Sequence, residues 1–130
     1  MLDTSILSHA FRRGAPTHTS VDRLRKLMVG PDELAVPGIV VQEMLTGVRH
    51  ARQLDALDDM LAGFRVLLAD RTTHVEAARL SNACRAQGIA ASTVDALIAA
   101  QTVQVGGALF TLDADFARIA KHTALKLYRA

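Results

Sequence analysis

Ser92-Thr93-Val94-Asp95-Ala96-Leu97-Ile98-Ala99-Ala100 and, past a turn at Gly106-Gly107, Ala108-Leu109-Phe110-Thr111 decide the fold. The first stretch runs on to Val103 as a helix too apolar to keep a wet face, and the second is a short apolar strand. A buried helix that feeds a buried strand calls for an α/β architecture. Working outward, the same alternation recurs. Met1-Leu2-Asp3 ends a short strand, and a helix from about Ser5 aligns Ile6, Leu7, Ala10 and Phe11 before Gly14-Ala15-Pro16-Thr17 breaks it. A second helix turns Val21, Leu24, Leu27 and Met28 inward and Arg23, Arg25 and Lys26 outward, closed by Gly30-Pro31-Asp32. Strand Leu34-Ala35-Val36 follows, then a helix from Pro37 with Val40, Val41, Met44, Leu45 and Val48 on its buried stripe. Another helix carries Leu54, Leu57, Leu61 and Phe64, and Val66-Leu67-Leu68 is a third strand. A long helix spans about Thr73 to Gln87 with Gly88 as its cap, a short one covers Phe116 to Lys121, and Leu125-Lys126-Leu127-Tyr128 is the last strand. The expectation is one three-layer α/β/α domain over residues 1–130, with a central, mainly parallel, five-stranded sheet and right-handed crossovers.

At 130 residues, 50% hydrophobic, the chain has material for a single core and no room for a second domain. A net charge of +2 is a weak argument for a nucleic-acid partner, although both ends of the chain are basic and the middle acidic. Arg12, Arg13, Arg23, Arg25 and Lys26 are candidates to face phosphate, with a solvated helix face the commoner role for each. Cys84 is the lone cysteine, which excludes an internal disulfide and a thiolate zinc cage within one chain. No charged leader with an apolar run opens the sequence, and nothing approaches the roughly 18 apolar residues of a membrane span, so a soluble, cytoplasmic protein is expected.

Several chemistries have no residues to carry them. His9, His18, His50, His74 and His122 show no metal-ligand spacing, and phosphate-binding glycine loops and a nucleophile elbow are absent. With one Tyr, four Phe and no Trp, base-stacking platforms are scarce.

The carboxylates remain. Ligands of open parallel sheets bind at the carboxyl ends of strands, where Asp3 and Asp113 would both sit. An Asp after a strand is more often a turn or cap residue, so neither is informative singly. Ser92-x-x-Asp95 fits a capping box, yet the buried helix behind it aims the charge at the sheet rim, with no Lys or Arg nearby in sequence. Glu43 flanks an apolar stripe, where pairing with Arg49 or Arg52 is the ordinary alternative. Asp115 shares a metal with Asp113 or caps the helix that Phe116 begins. Ser5 and Thr111 offer hydroxyls at the same rim, where local helix or turn bonding is the commoner use. Four acids, Asp3, Glu43, Asp95 and Asp113, converging on one rim would repel strongly without a cation, and hard Mg²⁺ or Mn²⁺ suits oxygen ligands. The set therefore reads as a metal-dependent phosphodiester hydrolase.

Leu2-Asp3-Thr4-Ser5, Val40-Val41-Gln42-Glu43-Met44-Leu45-Thr46-Gly47, Val94-Asp95-Ala96-Leu97-Ile98-Ala99-Ala100 and Leu109-Phe110-Thr111-Leu112-Asp113-Ala114-Asp115-Phe116 together resemble the PIN domain. The likeness is strongest to the VapC toxins of type II toxin–antitoxin pairs. It implies a Mg²⁺- or Mn²⁺-dependent endoribonuclease, usually a homodimer, also within larger heteromeric complexes, and inhibited by a cognate VapB-like antitoxin that inserts near the acidic pocket. By position it makes Asp3, Glu43, Asp95 and Asp113 the acidic quartet, with Ser5 and Thr111 in support. Two departures stand out. Only two residues precede Asp3, so either a short first strand or a start codon upstream of Met1 is expected, and Asp113-Ala114-Asp115 is tighter than the commoner spacing, so Asp115 joins or replaces Asp113. The rivals are a PIN nuclease of RNA processing outside any toxin system, and a regulatory α/β module whose acids bind a cation without catalysis.

Overall fold

The computed structural model describes residues 1–11 and 19–129; Arg12, Arg13, His18 and the expected breaker at Gly14–Thr17 lie outside them. In chain order the elements are α1 (Thr4–Phe11), α2 (Thr19–Val29), β1 (Ala35–Pro37), α3 (Gly38–Leu45), α4 (Ala51–Leu61), β2 (Arg65–Leu67), α5 (Arg71–Ala86), α6 (Thr93–Gln104) and α7 (Asp115–His122). Helices come in pairs between the extended segments, α1–α2 before β1, α3–α4 before β2 and α5–α6 after it.

Five chain segments stack side by side. β1 and β2 pair in parallel, with Ala35 opposite Arg65 and Pro37 opposite Leu67. Leu2 N–H donates to Ala35 O (2.9 Å), and parallel bridges join Leu2 to Phe110 and Leu109 to Leu127. Three of the expected strands are therefore single bridges, since helix α1 begins directly after Asp3 and leaves the first segment no length for a ladder. Across the sheet the order runs β2, β1, residues 1–3, residues 108–110, residues 126–128. The chain builds outward in one direction from its first segment and then reverses to add the last two. The reversal lies between Leu2 and Phe110, and in such sheets the crevice beyond the carboxyl ends of the two diverging segments is the natural binding place.

The core behind that crevice is Leu2, Ile6, Leu7, Val36, Val40, Ile98, Leu109, Phe116 and Ile119, all nearly inaccessible. Helix α6 explains its own composition. Ile98 and Ala99 enter this core, while Ala96 and Ala100 meet Ala77 of α5 on the other side, the small side chains letting the two helices approach closely. Apolar residues are thus needed around most of its circumference. Cys84 is buried in the same core, as its lack of a partner suggests.

Helix α5 is fixed at both ends. The Asp70 carboxylate accepts from Thr73 N–H (2.9 Å) while Thr73 Oγ1 accepts from Asp70 N–H (3.2 Å), a reciprocal box that starts the helix at Arg71, earlier than Thr73. At the other end Gly88 takes φ +75°, and Ile89 N–H reaches Cys84 O (2.9 Å). The third expected strand, Val66-Leu67-Leu68, is present one residue earlier as Arg65–Leu67. β2 lies at the sheet edge, leaving Val66 40% and Leu68 83% exposed. Among the described residues, no helix is long and apolar enough to cross a membrane.

Candidate metal centre

Asp3 is 5% exposed, at the end of the first segment. Its Oδ2 accepts from Ser5 Oγ (2.9 Å) and Thr111 Oγ1 (2.7 Å), so both supporting hydroxyls predicted at this rim do converge on it. Ser5 Oγ also accepts from Leu112 N–H (2.8 Å), and Thr111 Oγ1 accepts from Asp113 N–H (3.0 Å). The loop after the fourth segment is thereby tied to the first turn of α1. Since residues 3 and 111 are far apart in sequence but adjacent at the reversal point, these bonds set where Asp113 begins.

The tightest grouping of acids lies just beyond. Asp95, Asp113 and Asp115 each present a carboxylate oxygen, all within 4.8 Å of one another. Asp95 arrives from the first turn of α6, whose N-cap Ser92 Oγ accepts from Asp95 N–H (3.0 Å). Asp115 N–H donates to Asp113 Oδ1 (2.9 Å), a short-range bond that folds the Asp113-Ala114-Asp115 loop back on itself. Both acids of that loop therefore lie close to Asp95. Arg118, one turn into α7, donates to Asp115 Oδ1 (2.9 Å) at the exposed margin. Sequence reading passed over this arginine, although its spacing of three from Asp115 is a usual helical ion pair.

Asp95 feels the crowding. Its pKa is raised to about 6, first by burial and then by the charges of Asp113, Asp3 and Asp115, with hydrogen bonding to Ser92 pulling the other way. Asp3 thus contributes to the field at Asp95 although it stands outside the 4.8 Å trio. Glu43 also stands outside it. The exposed Glu43 carboxylate accepts from Thr4 Oγ1 (2.8 Å), which holds it beside the residue following Asp3. Nothing in the sequence announced the Thr4 contact, because it depends on α1 crossing α3.

The donor set fits a hard divalent cation. Three carboxylates supply oxygen ligands, and an acid whose proton is held more tightly by burial and then by its neighbours' charges marks a place short of positive charge.

The PIN domain model matches residues 1–122. The chain belongs to the PIN-domain family. No curated protein matches it in sequence. Solved structures share its fold: FitAcB from Neisseria gonorrhoeae superposes with a TM-score of 0.79 at 19% identity, covering 98% of this chain and 95% of the other. VapBC2 from Rickettsia felis, bound to a DNA fragment from its promoter, reaches 0.81 at 20% identity and covers 98% and 96%. VapBC-1 from nontypeable Haemophilus influenzae reaches 0.78 at 21% identity, covering 98% and 95%. At such identities the likeness of these chains to this PIN domain is one of fold.

Proposed function

We propose that this PIN domain is a divalent-cation-dependent endoribonuclease, the toxin of a toxin–antitoxin pair, working as a cytoplasmic homodimer and restrained by a cognate VapB-like antitoxin. The observation that carries the reading is the meeting of Asp95, Asp113 and Asp115 at the sheet's reversal point, with Asp3 behind them. In the proposed site Asp95, Asp113 and Asp115 hold Mg²⁺ or Mn²⁺, Asp3 adds charge from its buried seat, and Glu43 lines the approach from α3. When bound, the cation supplies charge neutralisation at the scissile phosphate and acidifies a water for attack. Ser5 and Thr111 keep Asp3 in one rotamer and fix the Asp113 loop, so the carboxylates are in place before RNA arrives. Arg118 draws Asp115 toward the margin and offers a cation to the RNA backbone.

Support for the partner comes from the fold neighbours, among them a structure described as a toxin–antitoxin complex from Klebsiella pneumoniae. A groove of about 570 Å³ beside Glu43, lined by Phe11, Met44, Val48, Leu57 and Met60, suits insertion of an apolar segment of that partner next to the acidic wall. The test is direct: purified protein should cut RNA only with Mg²⁺ or Mn²⁺ present, and Asp95→Asn should lose the cut while staying folded. Equal cleavage by both proteins, or cleavage in excess chelator, overturns the reading.

A further inference from the structure

Thr111 also lines a smaller cavity, about 270 Å³, together with Thr19, Ser20, Arg23, Phe110, Leu112 and Tyr128. Its contents are unusual for this chain. There are only five aromatic rings, one Tyr and four Phe, and Trp is absent. Phe116 is sealed in the core and Phe11 pairs with Phe64 elsewhere. The remaining two, Phe110 and Tyr128, stack with centroids 5.0 Å apart and interplanar angle 36°, and both line this cavity. Phe110 is 7% exposed and backs the pair, so the half-buried Tyr128 ring is the face on offer. Arg23 lies on the exposed side of α2, whose buried residues are Val21 and Leu24.

We infer that this cavity is a nucleotide subsite, in which Tyr128 stacks on the base beside the scissile phosphate and Arg23 holds the adjoining phosphate. The inference rests on the nuclease reading for its substrate, and gives that substrate a place to be gripped. An aromatic face with a cation is the sequence-tolerant combination by which single-stranded RNA is held. Continuity with the acids is covalent and hydrogen-bonded: Thr111 lines the cavity, and its Oγ1 donates to Asp3 and accepts from Asp113 N–H. The cavity and the acids thus share Thr111 as a common wall. Positive charge is also needed here, since RNA must approach a cluster of carboxylates, and Arg23 of the cavity lining supplies it. Tyr128 and Arg23 are thus positioning residues, Tyr128 for the base and Arg23 for the strand.

The test uses the full chain with Mn²⁺ and a randomised 16-mer oligoribonucleotide pool, sequencing the cut ends. Tyr128→Ala should flatten the base preference on one side of the cut and raise KM on the order of tenfold, with kcat within about twofold. Tyr128→Phe should restore both, since the ring is what matters. Arg23→Gln, at an exposed position, should leave base preference intact and reduce the salt dependence of binding by about 0.7 of a log–log slope, the share of one phosphate contact. Unchanged preference and KM in Tyr128→Ala, or an unchanged salt slope in Arg23→Gln, overturns the subsite. Tyrosine emission separates this from the parent reading, because Tyr128 is the only tyrosine and there is no tryptophan. In the Asp95→Asn protein the 16-mer pool should quench it, and an abasic ribose-phosphate oligomer should not. Quenching by the bases in a chain whose wild type cuts nothing would keep the subsite and discard the nuclease; cutting without quenching would do the reverse.

Discussion

Helices α5 and α6 pack against each other and open with the same three-residue device, Asp70-x-x-Thr73 in one and Ser92-x-x-Asp95 in the other. In each a hydroxyl and an acid share the first turn, yet the two acids meet opposite fates. Asp70 is the cap itself, its carboxylate taking the Thr73 N–H and hydroxyl, and those hydrogen bonds hold its pKa below the ordinary 3.8. Asp95 is the third residue, half-buried among Asp113, Asp3 and Asp115, and its pKa rises to about 6. One acid is satisfied by donors of its own helix, the other faces charges from distant parts of the chain. A carboxylate at a helix start is structural or functional according to what stands opposite it, and the local motif does not say which.

The largest separation between the two should be catalytic. Asp95→Asn should lower RNA cleavage by two orders of magnitude or more, since even outer-sphere support for a metal ligand is worth about 10–100-fold. Asp70→Asn should leave the rate per folded molecule unchanged. A cleavage time course on both variants, corrected for folded fraction, decides whether the contrast is real.

Next in size is the response to cation. Saturating Mn²⁺ at about 100 times its Kd should stabilise the wild type and Asp70→Asn by about 2.7 kcal/mol. Thermal melts of Asp95→Asn should show much less of that shift, and an undiminished shift would locate the ion elsewhere.

The pH dependences should have opposite signs. Asp95 binds its proton more tightly in the folded chain, about 6 against 3.8, so its contribution is full below 3.8 and is lost as pH rises through 6. Moving the chelated protein from pH 7 to pH 5 should therefore increase the stability assigned to this group by about 1 kcal/mol, after allowing for solvent screening at a half-buried site. Denaturant melts should find that gain in the wild type and not in Asp95→Asn. Asp70 behaves the other way, its contribution present above 3.8 and lost on further acidification. A wild type whose stability at pH 5 matches that at pH 7 would mean that Asp95 is not crowded.

The smallest effect tests the shared capping role. Ser92→Ala removes the acceptor for Asp95 N–H and should cost about 0.5–1 kcal/mol, with only a modest change in cleavage. A large loss of activity with little loss of stability would show that Ser92 acts mainly on the Asp95 carboxylate.

Much of this was readable in advance, and the gaps have particular causes. The apolar run after Asp95 correctly implied a buried helix with its first turn at the rim, because apolar composition on all sides leaves no wet face. Ser5 and Thr111 were placed at the rim by the same strand-end logic, and both bond to Asp3. The Asp70 box escaped notice because Thr, not Glu or Gln, answers the cap. The strand at Val66-Leu67-Leu68 was legible, but its edge position was not, because a run of apolar residues looks alike at the centre and at the edge of a sheet. Glu43 was expected at the same rim on sequence grounds; in the structure it is bonded to Thr4, next to Asp3, and is not one of the 4.8 Å trio.

By itself the sequence determined where helices and strands lie and which acids stand at their ends, since periodicity, caps and turns act over a few residues. Tertiary structure alone decided that the sheet reverses between Leu2 and Phe110, and so which of those acids share a field. That decision belongs to three dimensions because repulsion between carboxylates depends on distance through space, and Asp3, Asp95 and the Asp113–Asp115 pair become neighbours only when the sheet has closed its order.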